Sequence, residues 1–474
     1  MKIWETECDP QTLDRIHQIS MAILNRVGLD FHADWAAEVF RTHGFAVDGR
    51  RVFFRDEKKL IDLISQAPRN FTLRARNQEH SLTIGGTEVH YGPGLGAAQV
   101  VEADGRQRSG ELRDVIDFQR LFHQSPLIGL MGSSPVAASD LAARALGPLQ
   151  FQLLLKMTDK AVIAPGGAAA NNSLVLDLAA AAFGGRDHFR SQVHFLCVIN
   201  TLSPLAVSGH SLEALRDYLA AGQGVILTPC AMAGGTGPMT LAGTLAQSNA
   251  EVLGAAALAQ LLRPEAPVVY GFQSGLMDPA SASLAVGAPE QALFLMWGAA
   301  LARYYGLPSR DGGLLTDAVR PGIQSGYEAM MTALASRKSG LNLILQSVGI
   351  VGGLAAMSLE QAVADLEILA MVERLAAGFT AESEDLALEV VERVGPGGGF
   401  LTDRHTLKNC RRVFQPRLSR RGPPGGQPGD EPARLARLIR RNLDSYQAPD
   451  LSPRLNRDLD KILKRAGLNP PQWP

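Results

Sequence analysis

The sequence predicts an α/β fold, a TIM (β/α)8 barrel with an N-terminal α/β appendage and a C-terminal helical extension. The clearest indication is the stretch from about residue 192 to residue 352, where short β-branched or apolar segments alternate with alanine-rich helical segments. Each apolar segment ends in Gly, Pro, Ser, Asn or Gln, residues typical of turns that end strands. Barrels of this class carry their chemistry at the carboxyl ends of the strands, so we expect the site residues there.

Eight apolar segments supply the strands of such a barrel. The first lies around Val89 and Tyr91 and runs into the glycine-rich stretch 92–96. The other strands are predicted at 127–134, 161–165, 193–200, 225–230, 268–273, 307–315 and 341–347. Helices are predicted between them at 140–156, 212–221, 241–262, 291–305, 324–337 and 359–377. The count of strands matches a closed barrel, although the first connection is long and less regular.

The flanking regions define the predicted domain organisation. Before the barrel, helices at 10–25, 34–43 and 56–66 and strands at 52–54, 72–74 and 82–84 form an α/β appendage over residues 1–87. The barrel takes residues 88–395. The C-terminal segment, 396–474, contains a Pro/Gly/Arg-rich linker at 417–432 and two polar helices. An arginine series in the first of these helices predicts a solvated surface in preference to a partner-docking face.

Composition and cysteine usage exclude several classes of protein. The 46 basic residues nearly balance the 47 acidic ones, which argues against a nucleic-acid-binding surface. The four cysteines form no CxxC pair, which favours a reducing cytoplasm. The first residues lack the features of a signal peptide, and no apolar stretch has the ~18 to 20 residues of a membrane span. We therefore expect a cytoplasmic protein without a membrane segment.

The predicted strand ends carry groups suited to hydrogen bonding rather than to acid–base or metal chemistry. Lys160 begins its strand and Lys338 precedes its own, which argues against a lysine-dependent aldolase. Cys230 and His210 could face one mouth of the barrel, but no dense ligand set accompanies them, so no metal site is expected. The scarcity of strong acids and bases predicts a reaction that needs little proton transfer.

Two further motifs have both a functional and a structural interpretation. The glycine-rich stretch 234–238 lets a backbone approach a ligand closely or simply forms a turn, and spacing gives the two interpretations equal weight. It lacks the Lys-Ser/Thr of a phosphate loop. His405, in the motif 400–406, either serves the site or holds the C-terminal segment to the barrel.

Several motifs together resemble one enzyme family. They are AGGTGPMTLAGTLAQSNAEVLGAAALAQLLRPEAPVVYG at 233–271, TDA at 316–318, QSGYE at 324–328, SGLNLI at 339–344, and FL at 400–401 with HTL at 405–407. In this order they resemble the trimethylamine methyltransferase superfamily, the corrinoid-dependent methylamine methyltransferases. The resemblance covers about residues 10 to 420.

The resemblance implies a barrel enzyme that hands a methyl group from an amine to the cobalt of a separate corrinoid protein. Archaeal trimethylamine enzymes of this type carry pyrrolysine, whereas this chain contains only the twenty standard residues. Members without pyrrolysine look like demethylases of quaternary amines such as glycine betaine, proline betaine or carnitine. The implied partners are therefore a small quaternary or tertiary methylated amine and a cognate corrinoid protein, with no cofactor held tightly by this chain.

Positions at strand ends give the candidate site residues, and these roles are not supplied by the resemblance. A quaternary ammonium leaves as a neutral amine, so the protein must mainly bind the cation and align one methyl group, and no catalytic residue is identified. The candidates for substrate binding are the aromatic residues Tyr91, Phe272 and Tyr327, the polar residues Asn200, Gln273, Gln346 and His405, and Asp317. Gly94, Gly235, Gly237 and Gly352 are candidates for a rim that approaches the corrinoid.

Other functions stay open at this point. A barrel that binds methylated amines without turnover, as a scaffold or sensor, is the first alternative, and a metal-dependent lyase or hydrolase is the second. The segment 346–353 has little aromatic or charged character, which leaves room for a substrate other than glycine betaine or for a noncatalytic relative. A homo-oligomer is also compatible with the sequence, with the C-terminal helices as one interface.

Overall fold

The computed structural model describes residues 8–422 and 431–470. At its centre eight parallel strands form a barrel. In chain order they are β1 (His90–Tyr91), β2 (Leu130–Gly132), β3 (Ala161–Ala164), β4 (Phe195–Asn200), β5 (Gly224–Thr228), β6 (Val268–Gly271), β7 (Ser309–Asp311) and β8 (Leu343–Ile344). A parallel bridge between Tyr91 and Ile128 joins the two end strands of the sheet. The predicted fold class and all eight predicted strands are confirmed.

One helix follows each strand and carries its number. The helices are α1 (Leu112–Gln124), α2 (Leu146–Met157), α3 (Ala169–Ala182), α4 (Gly209–Ala220), α5 (Leu241–Leu262), α6 (Pro289–Tyr304), α7 (Ile323–Lys338) and α8 (Leu359–Ala376). The six predicted helices are present, while α1 and α3 were not among them. The helix predicted from residue 140 begins at Leu146. Pro148 lies in its first turn, where a residue without an N–H is tolerated.

Strand alternation divides the apolar core into two layers. Leu130, Ile163, Leu196, Ile226, Val269 and Leu343 form one cluster inside the barrel, which we call the lumen. The residues between them, such as Leu227 and Tyr270, belong to the larger cluster that the strands share with the helices. Successive strand residues point to opposite faces of a sheet, so this division tells which side chains can meet a ligand in the lumen.

The N-terminal region closes one end of the barrel and is hydrogen-bonded to the side of the barrel. The hairpin Asn70–Leu73 with Leu82–Gly85 adds Leu73 and Ile84 to the lumen cluster at the amino ends of the strands. The helix Pro10–Arg26 packs on α5, where Ser20 Oγ donates to Ala246 O at 2.9 Å. The other elements are the helices Asp34–Thr42, Glu57–Ile64 and Gln78–His80 and the strands Leu29–Phe31, Ala46–Asp48 and Arg51–Phe53. The lumen therefore opens towards the carboxyl ends of the strands.

Short strands in the strand-to-helix connections build the open end, the mouth. The long first connection forms a hairpin, Gln99–Val101 with Gln107–Ser109, which extends a second hairpin, Ile350–Val351 with Ala356–Met357. Met232–Ala233 pairs with Gly275–Met277, which pairs with Leu284–Ala285. Ala206–Val207, in the connection after β4, pairs with the N-terminal strand Leu29–Phe31. The remaining short helices in the barrel connections are Ala143–Ala145 and Arg186–Ser191.

The chain after α8 has two parts with different surroundings. The first part contains the short helices Ser383–Leu386, Leu388–Val394, Arg404–Asn409 and Cys410–Arg412 and exposes apolar side chains such as Phe379 and Leu401. The last two helices, Glu431–Asp444 and Pro453–Arg465, lie against the barrel, and Leu459 and Leu463 are fully buried there.

The linker prediction can be compared with the structure only in part. Residues 423–430 of the predicted linker 417–432 lie outside the described residues. Before this gap, Glu367 on α8 accepts hydrogen bonds from the backbone N–H groups of Arg417, Leu418 and Ser419. The predicted domain boundaries at residues 87 and 395 stay a prediction.

Candidate functional site

Residues that lie in register on neighbouring strands form one row on the lumen side, near the mouth. Arg310 on β7 lies in register with Leu343 of the lumen cluster on one side and with Gly271 on the other. In the same way Thr228 lies in register with Asn200. Alternation from Val269, Ile226 and Leu196 places these residues on the lumen side of their strands. A polar row therefore stands above an apolar floor.

Arg310 supplies a buried positive charge to this row. Arg310 is 4% exposed, and its Nη1 donates a weak hydrogen bond to Phe272 O at 3.4 Å. Within the described part of the chain its Nε has no hydrogen-bond partner and no carboxylate lies within 4.0 Å of the guanidinium. Burial lowers the pKa of Arg310, and the nearby Asp311 opposes this effect. An arginine keeps its proton even so.

Asp311, the next residue, faces the opposite way. A Cβ on Gly298 of α6 would lie 3.4 Å from its Oδ2, so the carboxyl group points into the helix layer. Its Oδ1 accepts a hydrogen bond from Gly312 N at 2.7 Å. Burial raises the pKa of Asp311 to about 8. The carboxyl group that follows Arg310 in sequence is therefore not its ion-pair partner.

Gln273 and Thr228 add unpaired polar groups beside Arg310. Gln273 is 7% exposed, and neither its Oε1 nor its Nε2 has a hydrogen-bond partner among the described residues. The Thr228 hydroxyl is also buried and has no hydrogen-bond partner among the described residues. A Cβ on Gly271 would lie 2.1 Å from Thr228 Oγ1, so only glycine fits between these groups. Buried polar groups are normally paired, so this cluster indicates a place for a ligand.

Asn200 and Cys230 mark the open side of the lumen. Asn200 ends β4 and is exposed, and its carbonyl oxygen accepts a hydrogen bond from Ser211 Oγ. Cys230 is exposed to solvent as well, yet burial raises its pKa while Arg310 opposes the shift. A group that is both accessible and surrounded by protein lies in a concave surface. Both residues therefore line the entrance to the polar row.

Two of the predicted aromatic residues face away from the lumen. Tyr91 lies in register with Ile344 of the outer layer, and its hydroxyl donates to Glu373 Oε1 of α8 at 2.5 Å. Phe272 is 1% exposed and stacks on Phe294 of α6 with ring centroids 5.9 Å apart. The sequence-based expectation that Tyr91 and Phe272 form walls of the site is corrected here, because strand alternation turns both side chains to the helices.

Gln346 and Asp317 hold loops at the mouth. The side-chain amide of Gln346 accepts from Leu95 N at 2.6 Å and donates to Leu95 O at 2.9 Å, which joins the connections after β8 and β1. The carboxylate of Asp317 accepts from the N–H groups of Val286 and Gly287, both at 2.9 Å. Burial raises the pKa of Asp317. Both residues thus serve the shape of the mouth.

Tyr327 and His405 lie outside the polar row. Tyr327 is 61% exposed on α7. His405 lies in the short helix Arg404–Asn409, where its backbone N–H donates to Asp403 and its carbonyl accepts from Asn409. The structure therefore places Asn200 and Gln273 on the lumen side of the barrel, as it does Arg310, and the backbone hydrogen bonds of His405 lie at its own short helix.

The four glycines predicted for the rim have different surroundings. A Cβ on Gly94 would lie 2.7 Å from the Ile350 side chain, so this buried glycine serves packing. Gly235 is exposed, and a Cβ there would meet the end of the flexible Met232 side chain. Gly237 is partly exposed in the same loop. Gly352 has a φ of +60° and lies in the turn between Ile350–Val351 and Ala356–Met357.

Glu251 is a further mouth residue that the sequence did not predict. It is fully buried on α5 and accepts hydrogen bonds from Thr201 Oγ1 at 2.5 Å, Ser203 Oγ at 2.8 Å and Leu205 N at 2.9 Å. These three donors all belong to the connection after β4, which forms one side of the entrance. A single acid within an alanine-rich helix is the signal that could have identified it.

The geometry of the described residues also bears on three other kinds of site: a metal centre, a second cavity and a membrane span. Within residues 8–422 and 431–470, no three His, Cys, Asp or Glu side chains gather closely enough to hold a metal ion. A cavity of about 280 Å³ lies between α2 and α3 beside the mouth, lined by Ser134, Gln150, Pro165, Gly166, Asn171 and Asn172 among others. None of the described helices is long and apolar enough to cross a membrane.

This chain is similar to several known methyltransferases. The family model for trimethylamine methyltransferase (MTTB) matches residues 5–467. A glycine betaine methyltransferase of Desulfitobacterium hafniense strain Y51 is 41% identical over 86% of this chain and 85% of its own length. The trimethylamine methyltransferase MttB of strain DSM 10664 / DCB-2 is 30% identical over 86% and 82%. The proline betaine:corrinoid methyltransferase of Eubacterium limosum is 26% identical over 95% and 96%.

A solved structure supports the fold independently. The monomethylamine methyltransferase MtmB of Methanosarcina barkeri superposes with a TM-score of 0.54 over 94% of this chain and 89% of its own, at 12% identity. At that identity the likeness concerns the fold alone. The family match extends over nearly the whole chain, and the barrel fold agrees with it. The chain therefore belongs to the trimethylamine methyltransferase family.

Proposed function

We propose that this methyltransferase moves a methyl group from a quaternary or tertiary methylated amine, such as a betaine, to the cobalt(I) of a corrinoid carried by a separate protein. The observation that carries the proposal is an open mouth above a lumen that has hydrogen-bonding groups and, among the described residues, no free acid. The names of the relatives support the substrate class, since they include glycine betaine and proline betaine methyltransferases. The name of the proline betaine:corrinoid methyltransferase supports a corrinoid acceptor.

The carboxylates around the mouth are engaged in holding loops. Glu251 holds the connection after β4, and Asp317 holds the N–H groups of Val286 and Gly287. Glu328 accepts from Thr316 Oγ1 at 2.6 Å and from Asp317 N at 2.9 Å. A quaternary amine leaves with the electron pair of the broken N–C bond and becomes neutral without taking up a proton. The absence of a poised acid from the described mouth therefore suits this reaction.

The chain's own contribution is binding and alignment. A corrinoid presented at the mouth by its carrier protein would supply a cobalt(I) nucleophile as the acceptor of the methyl group. The lumen residues Arg310, Gln273 and Asn200 hold the substrate so that one N-methyl group faces the entrance. Fixed geometry of this kind lowers the barrier because the reacting atoms meet without a further entropic cost.

The rim of the mouth has a surface that fits a protein-borne corrinoid. Leu202 follows β4, Met239 follows β5, and Val319, Ile323 and Tyr327 follow β7, and all five side chains are at least half exposed. Apolar side chains gathered around an opening are typical of contact surfaces. We place this docking in the cytoplasm, which four unpaired cysteines support.

Methyl transfer to free cob(I)alamin tests the proposal. The purified chain is mixed with cob(I)alamin and, in turn, with glycine betaine, proline betaine, carnitine and trimethylamine, and the visible absorbance of the corrinoid is followed. We expect methylation with at least one quaternary amine, faster than without protein. Binding of an amine without methylation would instead support a binding protein. This conclusion requires that methylation is also absent when the corrinoid protein of a related methyltransferase is added.

A further inference from the structure

The buried charge of Arg310 lacks a counterion within the described protein. The guanidinium stands above an apolar floor of Leu196, Ile226 and Val269, and its one hydrogen bond, to Phe272 O, is long. A buried charge that is neither paired nor fully hydrogen-bonded is strongly unfavourable, and arginine cannot relieve this by losing its proton. Such an arrangement is understandable when a ligand brings the missing negative charge.

The neighbouring unpaired groups indicate the shape of that ligand. Arg310 Nε, Gln273 Nε2 and Thr228 Oγ1 are three buried groups that can donate hydrogen bonds and have no partner within residues 8–422 and 431–470. A carboxylate only accepts hydrogen bonds, and its two oxygens match the fork of a guanidinium. An alcohol or an uncharged amine would leave the charge of Arg310 uncompensated.

We propose that Arg310, assisted by Gln273 and Thr228, binds a carboxylate of the substrate, so that the enzyme selects methylated amines that carry a carboxylate. The inference rests on the proposed function and deepens it. The carboxylate lies against the polar row on the lumen side, and the methylated nitrogen points towards Asn200, Cys230 and the entrance. Trimethylamine and choline lack the carboxylate, so both are poor substrates.

Kinetics with matched amines test this selection. Glycine betaine and choline share the trimethylammonium group, and choline has an alcohol in place of the carboxylate. In Arg310→Met we expect kcat/KM for glycine betaine to fall by about 30-fold or more, while kcat/KM for choline changes by less than about threefold. Arg303→Met is the matched control, because Arg303 is exposed on α6, away from the lumen, and its Nη1 donates to Ser339 O. The control should leave both values unchanged.

Thermal stability separates a binding role from a structural one. Because Arg310 buries an unpaired charge, Arg310→Met should keep or raise the Tm of the free protein. Glycine betaine and acetate should raise the Tm of the original protein, and neither should raise that of the variant. Choline should have little effect on either protein.

Two outcomes overturn the inference. One is equal binding of glycine betaine and choline by the original protein. The other is a variant that binds glycine betaine as well as the original protein does, or that loses stability and both substrates together. Failure of the proposed function has a different signature, because calorimetric binding of glycine betaine that depends on Arg310, without any methyl transfer, would support the anchor and contradict the transferase.

Discussion

At the scale of single residues, the lumen combines one unpaired positive charge with unpaired amide and hydroxyl groups. Arg310, Gln273 and Thr228 are at most 7% exposed, and each has at least one buried polar atom without a partner among the described residues. Folded proteins keep such groups mainly where function requires them, since each costs stability. The row is therefore the part of the barrel that we assign to substrate binding.

Tyr91 gives a residue-scale prediction outside this row. Tyr91→Phe removes the hydroxyl that donates to Glu373, whose carboxylate also pairs with Arg337 at 2.7 Å. We expect the free energy of unfolding to fall by about 1 to 2 kcal/mol, because a partly buried charged acceptor loses a donor. The value of kcat/KM should stay within about twofold, because the side chain faces the helix layer. Denaturant unfolding and steady-state kinetics measure the two effects, and a large loss of kcat/KM with unchanged stability would place Tyr91 at the site instead.

Asp365 gives a prediction about pH. This fully buried carboxyl group accepts from Gly349 N at 2.8 Å and from Gln361 Nε2 at 2.7 Å, and burial raises its pKa to about 8. The folded protein thus holds this proton more tightly than the unfolded chain does. The resulting stability is complete below the ordinary pKa of 3.8 and is lost as the pH rises to about 8.

Asp365→Asn removes this titration, and Gln361 can turn its unpaired Oε1 towards the new amide. We expect the free energy of unfolding of the variant, relative to the original protein, to increase from pH 5 to pH 8, by at most about 1.4 kcal/mol per pH unit. Other titrating groups, such as Asp311, are present in both proteins and cancel. Urea unfolding at pH 5, 6.5 and 8 measures the difference, and a constant difference would contradict the assignment.

At the scale of elements, the mouth is shaped by connections that helices hold in place. Glu251 on α5 gathers the connection after β4, and Glu328 on α7 gathers the connection after β7. Both acids are buried, so their hydrogen bonds fix these loops relative to the barrel. The position of the exposed rim residues Leu202 and Val319 depends on these two contacts.

Glu251→Gln tests this arrangement. The amide would place an NH₂ group against hydroxyl and N–H donors, so we expect a loss of about 1 to 3 kcal/mol in the free energy of unfolding. We also expect a lower kcat/KM for methyl transfer, because the loop that carries Leu202 loosens. Glu265→Gln, an exposed change just beyond the same helix, is the control and should stay within about 0.5 kcal/mol. Equal stability of both variants would show that Glu251 does not hold the loop.

The elements were easier to predict than the orientation of their residues. Apolar segments bounded by turn residues identify all eight strands, because composition alone carries that signal. Segments of two to six residues do not tell which residues face inwards, since a shift of one position exchanges the two faces. Tyr91 and Phe272 therefore turned out to face the helices, and Arg310 was missed. The helix α1 was also missed, although its sequence contains a capping box, a pattern typical of helix starts. In this box Asp114 accepts a hydrogen bond from Glu111 N.

At the scale of the whole molecule, the chain is a barrel closed at one end and open at the other. The hairpin Asn70–Leu73 with Leu82–Gly85 covers the amino ends of the strands. The last helix, Pro453–Arg465, lies along the outside, where Asp460 pairs with Lys156 at 2.7 Å. Of the predicted arginine series, Arg437, Arg440 and Arg441 are exposed. Homo-oligomerisation through these helices stays a prediction.

The most direct test of the whole account compares methyl transfer to cob(I)alamin from glycine betaine with transfer from trimethylamine, using the same enzyme and corrinoid. We predict that kcat/KM for glycine betaine exceeds that for trimethylamine by at least about 30-fold, because only the betaine has a carboxylate that can pair with Arg310. Faster transfer from trimethylamine, or equal transfer from both, would contradict the account.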